Sequence, residues 1–198
     1  MIQNNLTFGK NITRQIFGQA VKNADAAYRG WIGILDMLTI AAYFPDSRGV
    51  AVEIGTAMGR SAAFMASLNP EVHVYTIDSL SGFEISDGTE MKKEEIRNHL
   101  DRVLAPYPNL TFIEGDSRKV TPPGLIDLLF IDGNHTYPGV QSDYDRFSPR
   151  VKTGGVILFH DVANHRKDPG KEVEVIEFIN DRKLPITIEH NMGIYIKE

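Results

Sequence analysis

Gly49-Val-Ala-Val-Glu-Ile-Gly-Thr-Ala-Met-Gly-Arg-Ser61 is the stretch that decides the fold. Val50 to Ile54 reads as a buried strand, Gly55 as a turn, and a helix opens near Gly59. An open α/β sheet starts a nucleotide-type site this way: glycine lets backbone approach a ligand, and the helix N-terminus offers unpaired N–H groups. Val72-His-Val-Tyr-Thr-Ile-Asp78 is a second strand that ends on a carboxylate, 23 residues beyond Gly55, where a ribose diol would be held. The spacing Glu53-x-Gly55-x-x-x-Gly59 differs from the dinucleotide fingerprint G-x-G-x-x-G, so no pyrophosphate is expected.

Outward from this unit the chain alternates. Gly59–Leu68 reads as helix, Glu90–Leu104 as helix, Leu110–Glu114 and Ile126–Ile131 as strands, Gly139–Phe147 as helix, Gly155–Phe159 as strand and Glu172–Asp181 as helix. Near-continuous apolar strands predict a doubly wound, mostly parallel seven-stranded α/β sheet with helices on both faces. Ile186 to Ile196 carries two short alternating runs around Asn191-Met-Gly193, which predicts a C-terminal hairpin and one antiparallel strand. Residues 1–48 read as a helical lead-in or cap, with helices over Ala20–Ala27 and Trp31–Tyr43, ahead of a cofactor-binding domain at 49–198. In that lead-in Trp31, Ile34, Leu35 and Leu38 fall at helical spacing and are expected in the core; a covering role over the site or a homo-oligomer contact are the alternatives.

Composition narrows the function classes. The 198 residues suit a single self-sufficient core, and a net charge of −5 disfavours nucleic acid as the main partner. The absence of cysteine removes disulfides, thiolate metal sites and thiol nucleophiles. No apolar run suggests a membrane span and the polar start Met1-Ile-Gln-Asn-Asn5 has no signal-peptide pattern, so a cytoplasmic location is expected.

A second constellation concerns acid–base and metal chemistry. Ile126-Asp-Leu-Leu-Phe-Ile-Asp-Gly-Asn-His135 is a strand running into Asp132 and His135, and Gly154-Gly-Val-Ile-Leu-Phe-His-Asp161 is another running into His160 and Asp161. On adjacent strands these four side chains would share one rim of the sheet. Carboxylates, imidazole and water hold a divalent cation, with magnesium favoured by oxygen-rich sites and manganese or calcium as alternatives. A histidine free of the metal accepts a proton near neutral pH.

These residues together resemble the class I S-adenosylmethionine-dependent methyltransferases, and within them the metal-dependent O-methyltransferases and macrocin-type sugar O-methyltransferases. The likeness is carried by Val52-Glu-Ile-Gly-Thr-Ala-Met-Gly-Arg-Ser61, Thr76-Ile-Asp78, Phe130-Ile-Asp-Gly-Asn-His-Thr-Tyr137 and Gly154-Gly-Val-Ile-Leu-Phe-His-Asp161. The resemblance implies S-adenosyl-L-methionine as cofactor, its methionine part held by Glu53, Gly55, Thr56, Gly59 and Ser61. Asp78 would take the ribose with Ser79 also contacting the cofactor, and Asp116 and Ser117 would approach the adenine edge. It further implies Asp132, His160 and Asp161 as ligands of Mg2+ or another divalent cation, Asp132 also bordering the cofactor, and His135 as general base. His160 stands where the family pattern has an acid. The acceptor would be a small hydroxylated molecule, a phenol, catechol or sugar. Ser79–Glu90, with Phe83, reads as a lid, and Val162–Gly170 as another wall on which Asn164 and His165 face the acceptor. The competing classes are an accessory cofactor-binding domain without turnover and, less compatible with the glycine spacing, a nicotinamide oxidoreductase.

Overall fold

In parallel strands that pair in register, the first residues beyond each strand line up along one edge, and the whole architecture follows from this. The structure, a computed structural model, describes residues 11–81, 91–163 and 173–198. Seven strands form one sheet: β1 (Gly49–Ile54), β2 (Val72–Asp78), β3 (Leu110–Glu114), β4 (Ile126–Ile131), β5 (Val151–His160), β6 (Thr187–Glu189) and β7 (Met192–Ile196). Their order across the sheet is β3-β2-β1-β4-β5-β7-β6, with β1 to β5 parallel and β7 antiparallel to both β5 and β6. The expected mostly parallel seven-stranded sheet with its C-terminal hairpin is what the chain forms. The reversal of strand order between β1 and β4 is the switch point at which open α/β sheets bind ligands.

Side chains alternate across the sheet and fill two layers. On one face Ala51, Val72, Val74, Leu128, Phe130 and Leu158 pack under helices α1 (Arg14–Ala27), α2 (Ile34–Tyr43) and α3 (Arg60–Leu68). On the other, Val52, Ile54, Leu129, Ile131, Ile157 and Phe159 meet α5 (Tyr137–Phe147) and α6 (Val175–Asp181). Helix α4 (Lys93–Leu104) adds Ile96, Leu100 and Leu104 to a smaller cluster with Met58, Ala62 and Leu80. The N-terminal helices share the main core with the sheet: Ala20, Ala24, Met37 and Ile40 are fully buried in it.

Several expectations need adjustment. Helix α1 begins earlier than Ala20, because Thr13 caps it by accepting from the Ile16 N–H (3.2 Å). Helix α2 begins later than Trp31, which sits at φ 52° in the turn before it. Of the four residues expected in the core, Trp31, Ile34 and Leu35 are 48%, 50% and 49% exposed and Leu38 is half-buried, while Met37, Ile40 and Ala41 are buried. A helix apolar on nearly every side gives no clear phase, and packing against α1 and α3 selected the other stripe. The hairpin turn lies at His190–Asn191, with Met192 and Gly193 inside β7, and helix α6 starts at Val175. Phe83, Asn164 and His165 lie outside the described residues, as does the expected helix start at Glu90.

Gly55 is required by the chain itself. It adopts φ 99°, and a Cβ there would overlap the carbonyl of Asp132, so the turn after β1 presses directly on the turn after β4. The room that glycine provides is filled by protein backbone. Gly59, at φ 82°, is the N-cap of α3, and a Cβ there would meet Leu100 and Leu104 of α4 at 3.1 Å. Replacing Gly55 by alanine combines left-handed backbone strain with a backbone overlap, and is expected to destabilise the fold by at least ~2 kcal/mol, read as a lowered urea midpoint. A Gly55→Ala variant with wild-type stability would contradict this reading of the turn.

Candidate functional site

The carboxyl edge of β1, β2, β4 and β5 carries nearly every side chain singled out in the sequence. Ile54 pairs with Ile77 and Ile131, and Ile131 with Phe159, so Gly55, Asp78, Asp132 and His160 emerge side by side. The Gly55 N–H donates to the Ile77 carbonyl and the Asp132 N–H to the Ile54 carbonyl, both at 2.9 Å, extending the ladder one step into the loops.

Under the first turn lies a buried polar network. Glu53, on the same face of β1 as Ala51, is fully buried. Its Oε2 accepts from Thr76 Oγ1 at 2.5 Å, and Thr56 and Thr76 share a hydroxyl contact of 2.6 Å, with the buried Ser61 nearby at the start of α3. Among the described residues Oε1 of Glu53 has no hydrogen-bond partner. Burial pushes its pKa up to about 8, against the opposing pull of Ser61 and Thr76. Asp78, at the tip of β2, accepts from the Ala57 N–H (2.9 Å, Oδ2) and the Leu80 N–H (2.8 Å, Oδ1). It thereby fixes two residues at positive φ, 46° and 55°, at the mouth of the cleft. The Ser79 hydroxyl, half-buried, shares a 2.6 Å contact with that of Ser81.

At the third strand end both candidate side chains have protein partners. Asp116 is bound by its own neighbour Arg118 through Nε (2.8 Å) and Nη2 (2.7 Å), which holds its pKa down to about 2. Ser117 donates to the buried Asp143 of α5 at 2.6 Å. Burial raises the Asp143 pKa to about 6 despite that hydrogen bond.

At the rim of β4 and β5 the four predicted residues meet. His135 Nε2 hydrogen-bonds Asp132 Oδ1 (3.2 Å), and its Nδ1 lies 3.5 Å from Asp161 Oδ2. His160 is buried, and its Nδ1 lies 2.8 Å from Asp132 Oδ1 and 3.7 Å from Asp161 Oδ1. The loop that places His135 is anchored from behind: its carbonyl accepts from the Glu174 N–H (2.8 Å), and Glu174 Oε2 accepts from the Tyr137 N–H (2.8 Å). Asp161 takes φ 60° and its Oδ1 accepts from Asn191 Nδ2 at 2.6 Å. Burial works against charge on His160, yet Asp132, Asp36 and Asp161 raise its pKa to about 11. Burial would likewise raise Asp132, but the two imidazoles bring it down to about 2.

Asp132, His135 and His160 bring one ligand atom each within 4.8 Å of one another, a spacing that fits a cation. His160 Nδ1 lies 2.8 Å from Asp132 Oδ1, but among the described residues neither ring N–H is aligned for a hydrogen bond. The two groups aim past each other. Ligands of a single ion do this: donors ~2.1 Å from an octahedral centre lie ~3 Å apart and point at it. Sequence reasoning does not single out Asp36, Asn191 or Glu174, which complete the surroundings. For Asp36 the only signal is a lone carboxylate in the otherwise apolar helix Ile34-Leu-Asp-Met-Leu-Thr-Ile-Ala-Ala-Tyr43.

Glu53 supplies a stability test. With its folded pKa about 8 and its ordinary value 4.5, only the unfolded chain ionises between those pH values. The folded state then binds more protons, so this group's contribution to stability falls as pH rises from 4.5 to 8. Urea unfolding at pH 5 and pH 8 should show a smaller loss in Glu53→Gln than in wild type; an equal loss would show that Glu53 ionises normally.

Comparison with known proteins agrees with the geometry. The profile of the methyltransferase domain family matches residues 52–162, more than half of the chain. Protein R132 of Acanthamoeba polyphaga mimivirus is 32% identical over 128 residues, 60% of this chain and 53% of that protein. The chain thus spans about half the length of this relative. Among solved structures, the O-methyltransferase NovP superposes with a TM-score of 0.64 at 18% identity, covering 90% of this chain and 87% of that one. MycE methyltransferase of the mycinamycin biosynthetic pathway, in complex with Mg and SAH, gives 0.59 at 17% identity, covering 90% of this chain and 54% of that one. Among the described residues no helix is long and apolar enough to cross a membrane. The chain belongs to the methyltransferase domain family and has the fold of the S-adenosylmethionine-dependent O-methyltransferases.

Proposed function

We propose that the protein transfers a methyl group from S-adenosylmethionine to a hydroxyl of a small molecule, a phenol, catechol or sugar. The observation that carries this reading is the contact between Gly55 and the Asp132 backbone. It sets the glycine turn, where the family seats its cofactor, directly against the carboxylate–imidazole cluster that would handle an acceptor. Donor and acceptor seats that touch convert a bimolecular reaction into one of orientation, and orientation is worth about 7–11 kcal/mol in well-aligned systems.

When bound, S-adenosylmethionine supplies a methyl group already activated on a sulfonium, and a divalent cation held by Asp132, His160 and Asp161 would polarise the acceptor oxygen as a Lewis acid. The remaining work falls to the chain. Asp78 retains free lone pairs beyond those used by Ala57 and Leu80, and these suit the ribose hydroxyls. Glu53 Oε1, buried and without a hydrogen-bond partner among the described residues, suits the amino-acid end of the cofactor, directly or through water. The turn from Thr56 to Ser61 lies between them, and Asp116 and Ser117 border the adenine side. His135 has Nε2 occupied by Asp132, while Nδ1 makes no direct hydrogen bond. Nδ1 is therefore the nitrogen that accepts the acceptor's hydroxyl proton, with Asp132 on Nε2 to stabilise the imidazolium.

Calorimetric titration with S-adenosylhomocysteine tests the cofactor site, with NAD as control. Micromolar binding is expected, weakened about 10–100-fold in Asp78→Ala by loss of charge-assisted hydrogen bonds. No binding would overturn the reading. A screen of catechols, phenols and sugars by methyl-transfer assay then tests the acceptor class. His135→Ala should lower turnover by about 10²–10⁴ while leaving S-adenosylhomocysteine affinity unchanged. Parallel loss of cofactor binding would refute its role as base.

A further inference from the structure

Behind His160 stands Asp36, contributed by α2 and outside the stretch matched by the family profile. Its Oδ2 accepts from the Gly33 N–H at 2.9 Å, closing the first turn of the helix, and lies 3.7 Å from His160 Nε2. A helix cap needs no burial, and a carboxylate costs far less free energy at a helix end facing water. Asp36 is nevertheless only 8% exposed, on the face of α2 that carries the buried Met37 and Ile40. The position answers to His160. That ring stands edge-on to Phe130 (centroids 6.1 Å apart, 79° between planes), which fixes its plane with Nδ1 toward Asp132 and Nε2 toward Asp36. An imidazole with one nitrogen at a ligand cluster and a carboxylate facing the other is how proteins orient a histidine that binds a metal.

We propose that Asp36 is the outer carboxylate that positions His160 as a nitrogen ligand, so that the centre takes a first-row transition ion such as Mn2+, Fe2+, Co2+ or Zn2+ in preference to Mg2+. Mg2+ is a hard cation that takes oxygen ligands and retains its waters, whereas imidazole suits the transition ions. A second imidazole, His135, is within reach of the same point. The substitution of histidine for an acid at the end of β5 is thereby coupled to a carboxylate on the N-terminal segment, which becomes part of the centre. Asp36 acts through His160 and is a positioning residue.

The inference rests on the methyltransferase reading only for the use of the centre; its test uses the chelator-stripped protein with metal alone. Mn2+ should bind more than tenfold tighter than Mg2+, and pulsed electron paramagnetic resonance of bound Mn2+ should show nitrogen couplings that weaken in His160→Asp. Asp36→Asn keeps an oxygen for the Gly33 N–H, so the helix cap persists, and should weaken Mn2+ binding about 10–100-fold without altering metal-free S-adenosylhomocysteine affinity. Should that variant fail to fold, His160→Asp alone, which keeps the Asp36 cap, should lower the Mn2+ to Mg2+ affinity ratio at least tenfold. Equal Mn2+ and Mg2+ affinity, absence of nitrogen couplings, or wild-type Mn2+ affinity in Asp36→Asn would overturn the proposal. Nitrogen-ligated Mn2+ in a protein that ignores S-adenosylhomocysteine would refute the proposed function and leave this inference standing.

Discussion

The close approach of two backbone turns governs this molecule. Gly55, held at positive φ by the end of β1, allows the Asp132–Gly133 segment after β4 to lie against it. Because both strands are parallel and in register, that contact locks the glycine turn, the acid at the end of β2 and the cluster at the ends of β4 and β5 into one continuous rim. Gly55, Asp78, Asp132, His160 and Asp161 each sit on a strand end or the first loop residue, and rigid elements place such groups more accurately than long loops do.

The rim is polar at considerable expense. Glu53, Asp36 and His160 are all buried, and desolvating such groups costs several kcal/mol each unless partners compensate. Among the described residues, Glu53 Oε1 has no hydrogen-bond partner, and the His160 ring nitrogens, though 2.8 Å from Asp132 at Nδ1, have none that is aligned. Native interiors rarely leave such groups unmatched, and where they do the deficit marks a place completed by something else. The two deficits lie on opposite sides of the Gly55–Asp132 contact, one under the cofactor turn and one in the carboxylate–imidazole cluster, so the rim has the character of two adjoining seats.

Much of this was legible in the sequence. Continuous apolar strands ending in Gly55, Asp78, Asp132 and His160 specify a parallel sheet, and a parallel sheet in register brings its carboxyl ends together. What could not be read is what each group touches. Gly55 and Gly59 read as room for a ligand, but their space is taken by Asp132 and by Leu100 and Leu104, which come from distant strand and helix ends. Asp116 is claimed by Arg118, two residues on, because a local ion pair forms at little entropic cost. Asp36 escaped notice because the apolar helix around it gives no phase, and its partner His160 is brought near only by the tertiary fold. The exposure of Trp31, Ile34 and Leu35 has the same origin.

If one rim holds a nucleoside cofactor and a cation side by side, both should be seen there together. The direct measurement is anomalous diffraction from crystals grown with S-adenosylhomocysteine and Mn2+. The account predicts a manganese peak between Asp132 and His160, and the nucleoside lying across the Gly55 turn with its ribose on Asp78. Manganese bound elsewhere, or a nucleoside away from that turn, would contradict it.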